Sequence, residues 1–257
     1  MNQSFYIGAL GAMGQQTKLN VVSNNIANVN TVGYKPEYSV FSDLVYAQTR
    51  NSLQAANVKT GSGIKIDQVK TNMTAMPYQS TGQEHDYAVE GDGFFMLKDP
   101  VSGEITYSRD GRFQLAKTTD KFYLVNVDGK RVLNMDQEEI SYDVKPASYP
   151  SEENEEEEEE KEELQEDEHD PHAIGIYTFA NTNGLKPIGD NVFAATAANG
   201  TPILLENAKV VSGSLEQSGT DFALEMTRMM EAQRAYSYAL KMVQTSDEVE
   251  STINSLR

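Results

Sequence analysis

Imidazoles, clustered carboxylates and a glutamate run are the residues of this chain whose chemistry could reach beyond packing. His85, His169 and His172 are the three histidines, and there is no cysteine. The thiolate spacings of zinc sites are therefore absent, and no disulfide framework can form. His169-Asp170-Pro171-His172 stands beside glutamates and has donor types suited to a divalent ion. The reading preferred is two solvent-exposed imidazoles closing a charged loop. Glu84, Asp86 and Glu90 lie close in sequence, and a hydrolase acting on a polymer such as peptidoglycan would need a paired acid of this kind. Many surface carboxylates cluster in this way without any such role, and the enzyme reading is set aside. Gly91-Asp92-Gly93-Phe94-Phe95 is too short for a dinucleotide fingerprint, and no P-loop is present. It reads as a tight turn feeding an aromatic strand. No catalytic residue, metal ligand or cofactor is assigned.

The formal charge of −18 is local. Residues 151–170 hold fourteen acids and one lysine, a net −13, which leaves −5 for the rest of the chain. A self-repelling run of this kind cannot bury a core and is expected to form a disordered loop, here 151–172. Bases are nowhere clustered enough for a nucleic-acid footprint, and no nucleic-acid partner is expected. No stretch approaches the length of an apolar membrane span. The first residues, Met1-Asn2-Gln3-Ser4, lack the basic and apolar regions of a cleaved signal peptide, so the chain is expected to keep its own start.

Hydrogen bonding offers more than titration does. The segment Ser23–Lys35, SNNIANVNTVGYK, has four asparagines in eight residues, followed by a glycine and an aromatic–lysine pair. One good terminator ends a helix. Asn30 and Gly33 would suffice, which leaves Asn24, Asn25 and Asn28 unexplained. Amides donate and accept at once, so these three are expected to serve helix-end carbonyls and neighbouring subunits together.

The elements that would position such a surface lie at the two ends. Residues 4–30 favour helix, with Phe5, Ala9, Ala12, Gln16, Leu19, Ser23 and Ile26 on alternating four- and three-residue steps, widened by Leu10 and Met13. Gly8, Gly11 and Gly14 each weaken a free helix by about 1 kcal/mol relative to Ala, so this helix needs a partner. From Thr220 to Leu256 there is neither Gly nor Pro. Phe222, Met226, Met229, Gln233, Tyr236, Leu240 and Val243 repeat the same rhythm, which slips at Asp247 and Glu250 before resuming as Val249, Ile253 and Leu256. Thr220 or Asp221 supplies the cap.

Between the helices, Gly- and Asp-bearing turns punctuate short β-rich runs around Phe94–Leu97, Ile105–Ser108, Arg112–Leu115, Phe122–Asn126 and Lys130–Leu133. A second β-like block follows, from Ile174–Phe179 to Val192–Val211. The fold class is α+β, with paired, coiled-coil-like terminal helices and an inserted, mainly antiparallel β domain. The expected division is 1–35 and 214–257 for a helical polymerisation domain, 36–80 for an extended linker, and 81–213 for the β domain. Within the linker, Phe41 to Tyr46 is a candidate helical turn and Ile64–Ile66 a strand edge.

Four blocks in order resemble the bacterial flagellar rod and hook proteins. Asn24, Asn25, Ile26, Ala27, Asn28, Thr31, Gly33, Tyr34 and Lys35 match the family's N-terminal signature. Gly91, Gly93, Phe94, Phe95, Tyr107, Arg109, Asp110, Gly111 and Phe113 match its β-domain entry. Phe179, Asn181, Gly184, Leu185, Gly189, Asn191 and Phe193 match a later block, and Met230, Gln233, Arg234, Ala235, Tyr236, Thr245, Ser246 and Asp247 match the closing helix. The chain departs from the pattern at the glutamate run and at Glu216–Asp221, where the family has Glu-x-Ser-Asn-Val-Asn.

The resemblance implies a non-enzymatic basal-body rod subunit of the distal-rod type or its close paralogue. Such subunits line a tube with their terminal helices and leave the cell through the flagellar type III export apparatus without a cleaved signal. The implied partners are other copies and other rod or hook subunits. The implied interface is Leu19, Asn24, Asn25, Ile26, Ala27, Asn28, Thr31, Gly33, Tyr34, Lys35, Met230, Gln233, Arg234, Tyr236, Leu240 and Val243. Alternatives are a hook-type or other axial subunit, or a two-helix stalk presenting a β binding module with an acidic loop.

Overall fold

A computed structural model describes residues 3–48, 59–118, 121–143, 174–205 and 208–256. The acidic segment 151–172, with His169 and His172, lies outside the described residues. The chain divides into two compact units. The first joins Met1–Asn30, Lys35–Asn72 and Thr220–Arg257, and the second joins Thr31–Tyr34 and Met73–Gly219.

The first unit is built from helix α1 (Gln3–Ala27), strands β1 (Glu37–Asp43), β2 (Ala47–Gln48), β3 (Lys59–Thr60) and β4 (Ile64–Thr71), and helix α2 (Phe222–Ser255). Asp221 is the α2 N-cap, its carboxylate accepting from the amides of Ala223 and Leu224. That satisfies two donors which otherwise have no intrahelical partner. Strands β1 and β4 pair antiparallel from Glu37↔Thr71 to Asp43↔Ile64, and β2 pairs with β3.

The reading of 36–80 as linker, with a helical turn at Phe41, is therefore corrected. Of the stretch Phe41 to Tyr46, Phe41–Asp43 belong to β1 and Leu44–Tyr46 follow it without helix, and Ile64–Ile66 opens a full strand. The register shifts opposite Val40 and Phe41, where Asp67 is the extra residue on β4. Within β1, Tyr38 and Val40 share one face and Phe41 takes the other, so no apolar–polar alternation marks the strand. The face carrying Phe41 and Ile64 packs on α1 at Gly14, where an added Cβ would lie 3.2 Å from the Phe41 ring.

The second unit is the antiparallel β domain expected from the turn pattern. Its strands are β5 (Tyr78–Ser80), β6 (Tyr87–Glu90), β7 (Phe94–Lys98), β8 (Ile105–Ser108), β9 (Gln114–Lys117), β10 (Lys121–Val125), β11 (Arg131–Val132) and β12 (Ser141–Asp143). After the undescribed segment come β13 (Ile176–Thr178), β14 (Lys186–Gly189), β15 (Val192–Ala194), β16 (Ile203–Leu204), β17 (Lys209–Ser212) and β18 (Ser214–Glu216). The main sheet runs β12-β10-β11-β7-β8-β15-β14, with β13 also on β7 and β9 on β10. Two further pairs, β17–β6 and β18–β5, complete the unit.

Strand β7 is an unbroken apolar run because both of its faces are covered. Phe95 and Leu97 enter one buried cluster with Tyr87, Phe113, Leu124 and Ile176. Phe94 and Met96 enter the other with Tyr107, Tyr177, Phe179 and Phe193. Alternate side chains of a strand point to opposite faces, so one strand supplies two cores.

Candidate assembly surface

The helix pair is the core of the first unit. Ser4 and Ser246 meet hydroxyl to hydroxyl at 3.0 Å. A Cβ at Gly8 would lie 3.0 Å from Val243 Cγ2 and 3.3 Å from the Ala239 carbonyl oxygen, and one at Gly11 would lie 3.8 Å from Ala239 Cβ. At the other end, Lys18, Val21 and Val22 share a cavity of about 230 Å³ with Glu225 and Arg228. The start of α1 thus meets the end of α2, and the pair is antiparallel.

The α1-facing residues of α2 are not the stripe read from the sequence. Glu225, Ala232 and Ser246 are buried, and Ala239 contacts Gly11. The seam falls every seventh residue and is made of small side chains apart from Glu225. The stripe of larger residues is rotated away from it. Phe222 is 51% exposed, Met226 39%, Met230 50% and Leu240 39%, and Gln233 and Arg234 are exposed. Met229, Tyr236 and Val243 form a half-buried row shared by both stripes. Apolar character was the wrong criterion, because close helix approach selects small side chains and leaves large ones for other contacts. The useful signal was the seven-residue spacing of Ala232, Ala239 and Ser246 against glycines in the facing helix. In the sequence, Gly8 and Gly11 signal that α1 needs a partner, and the structure makes them the points of closest approach to it.

Within the cavity, Arg228 Nη1 donates to Glu225 Oε1 at 2.6 Å. Glu37 lines the same space, and burial raises its carboxyl above the usual range.

The asparagines divide by role. Asn25 is buried, donating from Nδ2 to the Glu37 carbonyl at 2.8 Å and accepting at Oδ1 from the Glu37 amide at 2.9 Å. It acts as a substitute strand for the first residue of β1 within its own chain. Asn28 Nδ2 donates to the Asn24 carbonyl at 2.9 Å and to Asn24 Oδ1 at 3.2 Å. Asn24 and Ala27 are exposed, whereas Leu19, Ile26 and Asn28 are half-buried and Lys35 is buried. The structure therefore groups Leu19, Asn24, Asn25, Ile26, Ala27, Asn28, Lys35, Met230, Gln233, Arg234, Tyr236, Leu240 and Val243 in the first unit.

Thr31, Gly33 and Tyr34 belong to the second unit. Gly33 has φ of +64°, and a Cβ there would lie 2.7 Å from the Arg109 carbonyl oxygen, so both conformation and space require glycine. Its amide donates to the Glu216 carbonyl at 2.9 Å, and the Gly219 amide donates to the Tyr34 carbonyl at 2.9 Å. Asn191 Nδ2 holds the Val32 carbonyl at 2.7 Å.

Arg109 and Glu216 lie beneath this segment, with side chains 1% and 2% exposed. Arg109 Nη1 donates to Glu216 Oε2 at 3.2 Å and Nη2 to the Gly91 carbonyl at 2.6 Å, while Glu216 Oε1 accepts from the Met76 amide at 2.8 Å. Burial lowers the Arg109 pKa, opposed by the Glu216 and Asp92 charges. Both residues lie in stretches already singled out in the sequence, but nothing there indicated that they pair. Among the described residues there is no cluster of three His, Cys, Asp or Glu able to hold a metal ion, and no helix is long and apolar enough to cross a membrane.

Three family models match in order along the chain. Flagella basal body rod protein covers residues 5–35, Flagellar hook protein FlgE/F/G D1 domain covers 88–152, and Flagellar basal body rod FlgEFG protein C-terminal covers 211–256. The flagellar basal-body rod protein FlgG of Bacillus subtilis (strain 168) is 34% identical over 271 aligned positions, covering all of both chains. The chain belongs to the flagellar basal-body rod protein family. Family relatives include FlgG of Agrobacterium fabrum (strain C58 / ATCC 33970), 33% identical across 96% of this chain and 97% of its own. FlgF of Caulobacter vibrioides is 29% identical across 97% and 95%. The two terminal rod-family matches contain nearly all of α1 and all of α2, and the D1 match begins in β6.

Proposed function

We propose that this chain, a structural subunit of the bacterial flagellar basal-body rod, polymerises through the outer face of α2 and the flank of α1. The carrying observation is the division of α2 into two stripes. The small seam is spent on α1, while Phe222, Met226, Met230 and Leu240 stand between 39% and 51% exposed. Burying each half-exposed side chain against a neighbouring copy contributes on the order of 1 kcal/mol. Such a stripe repeated along a tube offsets the ordering cost of the helices. In a lone chain the pair is held by its small seam, so the helices are marginal until they assemble. Export through the type III apparatus without cleavage, placement outside the cytoplasm and the absence of any catalytic step belong to this same reading.

The test uses Met226→Glu, Met230→Glu and Leu240→Glu together, in cells lacking the native protein. These changes leave Ala232, Ala239 and Ser246 in place, so the helix pair should still form. Expected are soluble, folded protein, no incorporation into basal bodies by electron microscopy, and no swimming. Normal rods and normal swimming would overturn the reading. On the isolated wild-type subunit, amide exchange should protect the described residues of 85–135 and 174–211 well beyond those of 1–30 and 220–257.

A further inference from the structure

The pairing at Gly33 and Gly219 joins two segments that are continuous with the helices. Gly33 follows the end of α1 at Ala27, and Gly219 precedes the start of α2 at Phe222. The Gly33 amide holds the Glu216 carbonyl, and the Gly219 amide holds the Tyr34 carbonyl, which makes a two-rung ladder. One side chain braces that ladder from below. The Glu216 carboxylate takes the Met76 amide on one oxygen and Arg109 on the other, and Arg109 reaches on to the Gly91 carbonyl. The Arg109 carbonyl also sits under Gly33, so close that any side chain there would strike it. Segments 31–34, 76, 91, 109 and 216 are thus fixed on one buried ion pair. A purely stabilising ion pair is a poor bargain in a sheet interior, because desolvation cancels most of the attraction, and fixing one arrangement is the better-attested use.

We propose that the Arg109–Glu216 pair is a clasp that sets the register of α1 against α2. With Gly33 pinned to Glu216 and Tyr34 to Gly219, the roots of both helices are held side by side before the helices themselves pack. Closing the antiparallel pair then becomes a local zippering step that starts from a defined offset. Without the clasp, the two helices must find each other across the whole intervening chain. The small-residue seam, repeating every seven positions, would also fit when slipped by one seven-residue repeat, about two turns. This inference concerns the folding of the single chain and does not depend on the polymerisation reading.

The absence of cysteine makes the register directly measurable in the full chain. Ser4→Cys with Ser246→Cys reports the native offset, because their hydroxyls are 3.0 Å apart and disulfide geometry tolerates little displacement. Ser4→Cys with Ile253→Cys reports an offset of one seven-residue repeat, because residue 253 continues the series through Ala232, Ala239 and Ser246. Each pair is oxidised at high dilution and the intrachain product followed on non-reducing gels, with and without Glu216→Gln.

Glu216→Gln should speed exchange at the Gly33 and Gly219 amides about tenfold relative to those of Phe95–Leu97. It should also slow 4–246 closure by roughly threefold or more, and raise 4–253 closure. Arg109→Lys, which keeps the charge but loses the reach to both acceptors, should act in the same direction. An unchanged 4–246 rate while the Gly33 and Gly219 amides open would overturn the inference. So would loss of Phe95–Leu97 protection in both variants, since the pair would then be ordinary sheet stabilisation.

Discussion

Replacing Gly8 and Gly11 separately by alanine makes two opposing contributions visible. In a helix interior, alanine is favoured over glycine by about 1 kcal/mol. At Gly11 the added methyl would meet Ala239 Cβ at 3.8 Å, an ordinary contact, so Gly11→Ala should keep the full gain. At Gly8 it would meet Val243 Cγ2 at 3.0 Å and the Ala239 carbonyl at 3.3 Å. The backbone of α2 would have to yield, and overpacking of this kind costs about 1–3 kcal/mol. The net at Gly8 is a loss of about 0–2 kcal/mol once the propensity gain is subtracted. Amide exchange across α1 in the full chain reads this directly, since 1 kcal/mol is about a fivefold change in an opening constant. Gly11→Ala should slow exchange by about that factor, and Gly8→Ala should leave it unchanged or faster. If Gly8→Ala protected α1 as much as Gly11→Ala did, the close approach of the helices at Val243 would be refuted.

Asn25→Ala should destabilise the first unit by about 2–4 kcal/mol in urea unfolding, because it strands both the amide and the carbonyl of Glu37. The exposed Asn24→Ala should cost less than about 0.5 kcal/mol. Asp221→Ala should remove about 1 kcal/mol of α2 stability, seen as earlier loss of helical ellipticity on heating. Glu37 has a raised carboxyl, so the folded state binds its proton more tightly than the unfolded state does. Its contribution therefore favours folding as pH falls through the window just above the ordinary carboxylate value of 4.5, and is unfavourable at neutral pH. Glu37→Gln should raise the stability of the first unit at neutral pH and flatten that dependence, and an unchanged pH profile would contradict the assignment.

The sequence made the β domain legible because its turns are chemically marked. Asp99-Pro100, Asp110-Gly111 and Asp128-Gly129 bracket runs that must be strands, and Phe94–Leu97 is too apolar for anything but a strand buried on both faces. The terminal helices were legible from their periodicity. Their facing sides were not, because Met226 and Ala232 differ in size rather than polarity, and pattern reading rewards the larger one. Strand β1 escapes pattern reading because Tyr38 and Val40 lie on one of its faces and Phe41 on the other, so neither face is marked as the apolar one. The inward turn of Asn25 was invisible for a different reason. An amide that completes a strand end looks the same in sequence as one offered to a neighbour, and only the position of Glu37 decides between them. The buried Arg109–Glu216 pair is separated by more than a hundred residues, and no local pattern connects its members.

The first unit takes its material from both extremities of the chain, and this dictates an order of events on the ribosome. Helix α1 is translated before the sheet and then waits, its glycine face bare, while the sheet is made and can close. Its partner α2 emerges only after the sheet. For that whole interval the sticky face has no seam to pack on, and the emergence of α2 is what lets it be matched.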